Sequence, residues 1–295
     1  MTSRDWQANR RAVFDRDERT CRHCGAGADG DPTALRTHPV GTVPLEGTVH
    51  ESSLVTVCPD CFETLHSASE GTATGPVSRA DLFELVRETT RTQGGAISDV
   101  AAFASLATSM PTLETGDTEM SFDEDDTELR FDEDDTDTTP VSDGETNASV
   151  DDETATEYRQ TRRTVWLAID LADARLERLA AIDETQFESD VRASLAAVDE
   201  TATDLQSTLR AVLEHCETMA SGLERCHGCF DPLDDGGCST CGLEARATVD
   251  WERENGDVAF ERLFSSINDG LQEASGTTEA LTERTTTLAR QLTAD

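Results

Sequence analysis

Cysteines spaced two residues apart can hold a soft metal ion, close a disulfide, or run dithiol redox chemistry, and this chain carries four such pairs. Cys21 and Cys24 are matched, about a hairpin's length later, by Cys58 and Cys61. Cys226 and Cys229 are followed by Cys238 and Cys241 in a C-x2-C-x8-C-x2-C layout with a Gly-rich turn between. Each quartet has the ligand types and spacing of one tetrahedral four-cysteine zinc site, because each knuckle aims two thiolates at a common ion. The competing readings are two disulfides for the first quartet and a redox pair for the second. A reducing compartment disfavours the disulfides, and a redox motif would not come duplicated at this spacing. The ninth cysteine, Cys216, falls on an apolar helical stripe and reads as a small buried side chain.

The elements that position the first quartet are legible around it. Leu35 to Val40 and Ser52 to Val57 read as two short strands joined by a Gly/Pro-punctuated loop, and Pro59 opens a helix carrying Cys61, Leu65 and His66. Upstream, residues 3 to 15, with Trp6, Val13 and Phe14 on one side, read as a short amphipathic helix packed on this ββα hairpin.

Arg11-Ala12-Val13-Phe14-Asp15-Arg16-Asp17 before Cys21, then His38, then Ser53-Leu54-Val55-Thr56-Val57-Cys58, then Cys61-Phe62 with His66, run in register with one known pattern. Over about its first seventy residues the chain resembles the zinc-containing, four-cysteine members of the HNH endonuclease family. The resemblance implies a zinc-bound ββα module with His38 and His66 as its candidate catalytic residues. It also shows what has changed. Pro39 stands where the family's general base stands, Ser53 where an Asn orients that base, and Phe62 where a His binds the catalytic cation. Metal-assisted phosphodiester hydrolysis needs a cation on the phosphate and a base within reach of the attacking water. A Pro and a Phe supply neither. The expectation is a degenerate HNH relative with little or no nuclease activity. The alternative is an active, metal-dependent DNA endonuclease with a displaced site, built for example from His23, His50 and His66, which would need Mg or another divalent cation.

The formal net charge is -37, and all 24 basic residues are Arg. Acidity on this scale, with no Lys, reads as adaptation to a salt-rich cytoplasm, where self-repulsion is screened over about 3 Å at 1 M salt. Counterion release falls steeply with salt, so a halophilic DNA binder need not carry a basic face. Arginines nevertheless concentrate near the N-terminus, and Arg11, Arg16, Arg22 and Arg36 are the candidate nucleic-acid contacts. No run reaches the eighteen or so apolar residues of a membrane span and no signal layout opens the chain, so the expectation is a cytoplasmic protein without membrane attachment.

The remaining sequence divides by composition. Residues 71–110 follow a small-residue linker and read as short helices, one around Leu82, Leu85 and Val86 and another around Val100, Phe103 and Leu106. Residues 111–156 collapse into Asp, Glu and Thr and read as a disordered acidic linker. Within it Phe122-Asp-Glu-Asp-Asp-Thr127 recurs as Phe131-Asp-Glu-Asp-Asp-Thr136, either a duplicated solvated spacer or a short docking motif. Residues 157–225 read as a helical hairpin, with Leu195, Val198, Ala202, Leu205, Leu209, Val212, Cys216 and Met219 at three-four spacing. Residues 226–242 are the zinc ribbon, and 243–295 a C-terminal helix whose stripe runs from Phe260 to Leu292. The expected fold is mainly α: a zinc-bound ββα module, then a three-helix antiparallel coiled coil tipped by a zinc ribbon. The functions this allows are a nucleic-acid-binding accessory protein, the active nuclease just described, or a scaffold using the coiled coil to bind a protein partner or a second copy of itself.

Overall fold

The computed structural model describes residues 9–27, 35–44, 48–66, 76–115 and 147–293. A short helix α1 (Arg10–Arg16) precedes an antiparallel pair of strands, β1 (Arg36–Pro39) and β2 (Leu54–Val57), and α2 (Pro59–His66) follows directly. The strand register sets His38 opposite Val55 and Pro39 opposite Leu54. Val13 of α1 is buried with Val49 and Leu54, so α1 clamps the hairpin from one side. Trp6, expected on the same face, lies outside the described residues.

Four long helices make the body: α3 (Arg79–Thr115), α4 (Asn147–Ala180), α5 (Ser189–Gly222) and α6 (Phe260–Thr293). Phe103 of α3 packs on Tyr158 of α4, and Arg175 of α4 pairs with Glu88 of α3, so these two run antiparallel. Arg162 of α4 bonds to Glu217 of α5, and Gln206 of α5 bonds to Ile169 of α4, an order that makes this pair antiparallel too. Thr90 of α3 meets Thr285 of α6, while Gln93 of α3 donates to Ala202 of α5. The result is a four-helix bundle in which α3 crosses the interior beside α5.

The structure corrects three expectations. The two short helices expected within 71–110 are, among the described residues, one helix, α3, running through Gly94 and Gly95. Both glycines face solvent, and the cost of about 1 kcal/mol apiece is outweighed by burial of Leu82, Val86, Ala96, Val100, Phe103 and Ala107 on its other face. That helix completes a bundle of four where the sequence suggested three. The C-terminal helix begins at Phe260, not residue 243, because 244–258 has no apolar period; it folds instead as an excursion pinned by the Glu252–Val258 bridge. The span 111–156, expected as a disordered linker, is helical at both ends, since α3 runs to Thr115 and α4 starts at Asn147, and residues 116–146 lie outside the described residues. The duplicated Phe-Asp-Glu-Asp-Asp-Thr lies outside the described residues.

The predicted stripes are the core. Leu195, Val198, Ala202, Leu205, Leu209, Val212, Cys216 and Met219 are all buried against this chain's own helices, as are Ile267, Ala274, Leu281, Leu288 and Leu292 of α6. At the α5–α6 crossing Gly270 leaves no room for a side chain: an added Cβ would stand 2.6 Å from Val212 Cγ2. Val212 is β-branched and buried, so it cannot swing away. Gly270→Ala therefore loses about 1–3 kcal/mol to overpacking against the roughly 1 kcal/mol that alanine returns in helix propensity, a net loss of up to about 2 kcal/mol. Chemical denaturation should show the variant unfolding at lower denaturant.

Candidate metal centres and the pocket beside them

Two four-cysteine groups are positioned to hold a metal ion: Cys21, Cys24, Cys58 and Cys61, and Cys226, Cys229, Cys238 and Cys241. In each the four sulfurs lie within 4.8 Å of one another, and all are free thiols. The closest pairs, Cys24–Cys58 at 3.6 Å, Cys226–Cys241 at 3.4 Å and Cys229–Cys238 at 3.3 Å, are too far apart for a bond of about 2.05 Å. They approach the roughly 3.8 Å edge of a tetrahedron of sulfurs about 2.3 Å from one ion.

Three of the four knuckles are built by one backbone rule. The amides of Gly25, Phe230 and Gly242 donate to the carbonyls of Cys21, Cys226 and Cys238, and the amides of those cysteines donate in turn to Ala26, Asp231 and Leu243. The turn requires a left-handed residue four places after the first cysteine: Gly25 has φ 73°, Gly242 φ 73° and Phe230 φ 64°. Phenylalanine is a costly choice there, and its ring explains it, stacking on Tyr158 at 4.5 Å. The fourth knuckle differs because Cys58 directly follows β2 and Cys61 sits in the first turn of α2.

The thiols of each quartet hold one another out of their ordinary range. Hydrogen bonds from the Cys229 and Cys241 thiols push Cys226 down, and those same bonds push Cys229 up and Cys241 up to about 12. In the first quartet burial raises Cys24 and Cys61, while backbone amides overcome burial at Cys21 and lower it. One thiolate forms easily and the next are resisted, a repulsion that a bound cation removes.

Both quartets dock on α4. Tyr158 Oη donates to the His227 carbonyl at 3.0 Å, and Arg159 Nε to the Cys229 carbonyl at 2.7 Å. Beneath them lies a buried polar network. Glu217 of α5 accepts from Arg162 Nε at 2.9 Å, from Trp166 Nε1 at 2.8 Å, and from Arg246 just beyond the ribbon. Arg162 and Glu217 are both 0% exposed. Burial would raise the Glu217 carboxyl, but Arg162 and Arg246 more than reverse it and hold it below the usual range. The loop after β1 closes on the same place: at Gly41, φ 66°, a Cβ would meet Arg162 Nη2 at 2.8 Å and the Trp166 ring at 3.0 Å. Glycine is required there on both counts.

The structure brings His38 and His66 together, their ring centroids 5.4 Å apart. His38 is 8% exposed, and its Nε2 lies 3.3 Å from Oδ2 of Asp170 on α4. The Phe62 ring rests on His66 at 4.2 Å. His50 is used locally, its Nδ1 accepting from the Ser52 amide at 3.2 Å. Among the described residues no metal-competent group contains His23, His50 or His66. The four candidate arginines part company. Arg16 is spent inside the module, donating to the carbonyls of Glu51 and Leu54 and pairing with Asp17. Arg22 and Arg36 are exposed, and the Arg11 side chain is 93% exposed beside Asp15.

Sequence reasoning missed Asp170, Tyr158, Trp166, Glu217 and Arg246. The available signal was Arg162, a charge three places before Val165 on the face that α4 buries; nothing in one dimension names its partners. No helix among the described residues is long and apolar enough to cross a membrane. No protein-family model, curated protein or solved structure matches the chain.

Proposed function

We propose that the chain is a degenerate HNH-type nuclease relative that keeps zinc in both cysteine quartets as structural ions and serves as a nucleic-acid-binding or accessory protein without cutting. Four thiolates with no vacant position are the donor set of a closed, structural zinc site. The observation that carries the reading is Asp170. A carboxylate from α4 lies against His38, where the resemblance would place a scissile phosphate, and it repels the anion that the pocket would have to admit. Pro39, Ser53 and Phe62 support the same conclusion, since the positions for base, orienting amide and cation ligand carry groups unable to do that work. Contact with nucleic acid would then run through Arg11, Arg22 and Arg36 on the module's outer face.

A plasmid-nicking assay with Mg²⁺, Mn²⁺ or Ni²⁺ is expected to show no cleavage above a protein-free control. Asp170→Ala alone should not restore it, because the base is still missing. Robust cleavage lost in His38→Ala or His66→Ala would overturn the reading. For the binding arm, fluorescence anisotropy should show a duplex bound several-fold more weakly by Arg11→Glu/Arg22→Glu; no binding by the parent chain would leave only the accessory, protein-contact role.

A further inference from the structure

At the end of the bundle remote from the ribbon, the first turns of α3 and the last turns of α6 leave a groove of about 440 Å³. Its floor is Phe83, Val86, Ala289 and Leu292, and Arg87 and Arg290 stand on its rims. Arg87 already pairs with Glu84 on its own helix, but Arg290 makes no ion pair among the described residues. An apolar groove beside a guanidinium without an ion pair among the described residues suits an aromatic side chain next to carboxylates. The chain contains that ligand twice, in Phe122-Asp-Glu-Asp-Asp-Thr127 and Phe131-Asp-Glu-Asp-Asp-Thr136.

We propose that this groove is a docking site for the chain's own acidic repeat, with the Phe131 ring on the apolar floor and the carboxylates after it on Arg290 and Arg87. Chain length selects between the copies. Thr115 lies about 42 Å of helix from Arg87, and antiparallel α4 starts its return from the same end as Thr115. At roughly 3.5 Å per residue, the connection from Thr115 reaches at most about 25 Å by Phe122 and about 56 Å by Phe131, with as much again from Phe131 to Asn147. The second copy therefore spans the distance from both sides and the first does not. Tethering raises the effective concentration of the second copy, so a modest groove suffices to hold it.

The test uses the full chain with both aromatics removed, Phe122→Ala/Phe131→Ala, and a fluorescein-labelled peptide of residues 129–137. The peptide should bind this variant at least tenfold more tightly than it binds the parent chain, whose groove is already filled. Adding Arg290→Glu, an exposed change that circular dichroism can confirm leaves the helices intact, should weaken binding at least tenfold, as should Phe131→Ala in the peptide. No binding to the double variant, equal binding with and without Arg290→Glu, or a double variant that sediments as a dimer broken by Arg290→Glu would each overturn the proposal, the last by giving the groove to a second copy.

Discussion

Cys229→Ser/Cys238→Ser should lose one of two bound metal ions per chain and about 3–5 kcal/mol of stability, while a Cys216→Ser control keeps both ions. The ribbon has almost no apolar core of its own: beyond the cysteines only Leu243 is buried in its cluster. A bound ion would therefore supply most of its order, as in other small metal-bound units. Once the sulfurs are not held, the Tyr158 and Arg159 hydrogen bonds to the ribbon carbonyls, each worth about 1 kcal/mol, go with it. So does the packing of Phe230 on Tyr158, worth about 1.5–3 kcal/mol. At about 2–4 °C per kcal/mol for a body of this size, the thermal midpoint falls by roughly 10 °C. Hydrogen exchange should accelerate first across 225–246 and the neighbouring ends of α4 and α5. Unchanged metal content or an unchanged midpoint would show that the ribbon is not organised by metal.

The second large effect is at Glu217. Removing the carboxylate strands Arg162 and Arg246, and Arg162 already keeps both terminal nitrogens buried without a partner. Breaking a fully buried pair from one side costs about 3–5 kcal/mol, so Glu217→Ala is expected to be among the most damaging single changes in the bundle. Arg162→Met/Glu217→Leu should recover part of that loss, because the fully buried charge disappears along with its partner, while Trp166 Nε1 and the partly exposed Arg246 still lose their acceptor. Parity between the single and double variants would mean that packing, not charge, dominates. The pH dependence follows in sign. Burial works against the charged form, but Arg162 and Arg246 hold the folded carboxyl below its unfolded value. The contribution is thus fully present above the unfolded carboxylate pKa of about 4.3, and it is lost as pH falls through the lower folded value. Urea midpoints should be flat in this respect near neutrality and drop steeply in acid, and Glu217→Ala should flatten that acid limb.

The cysteine quartets were legible because metal geometry dictates spacing within each knuckle, and the stripes of α4, α5 and α6 because burial repeats at three and four residues. The start of the α6 stripe is less legible: Phe260, which opens it in sequence, is half-exposed, and Leu263 one turn on is buried. Residues 71–110 read as two short helices because propensity is local, whereas the packing that carries α3 through Gly94 and Gly95 comes from α4, α5 and α6. The contact on which the proposed function rests, His38 with Asp170, joins residues 132 apart. Asp170 looks in sequence like any solvated acid of an acidic helix, and only the docking of the hairpin on α4 gives it a role. The Phe62–His66 stack is the exception, since four residues on a helix place both rings on one side.

X-ray absorption at the zinc edge on the purified chain tests the nature of both centres most directly. The expected spectrum is that of two zinc ions per chain, each with four sulfurs at about 2.3 Å, unchanged in His38→Ala and His66→Ala. A nitrogen or oxygen shell that either histidine substitution removes would reveal an open cation site beside Asp170, and would contradict the assignment of these ions to structure alone.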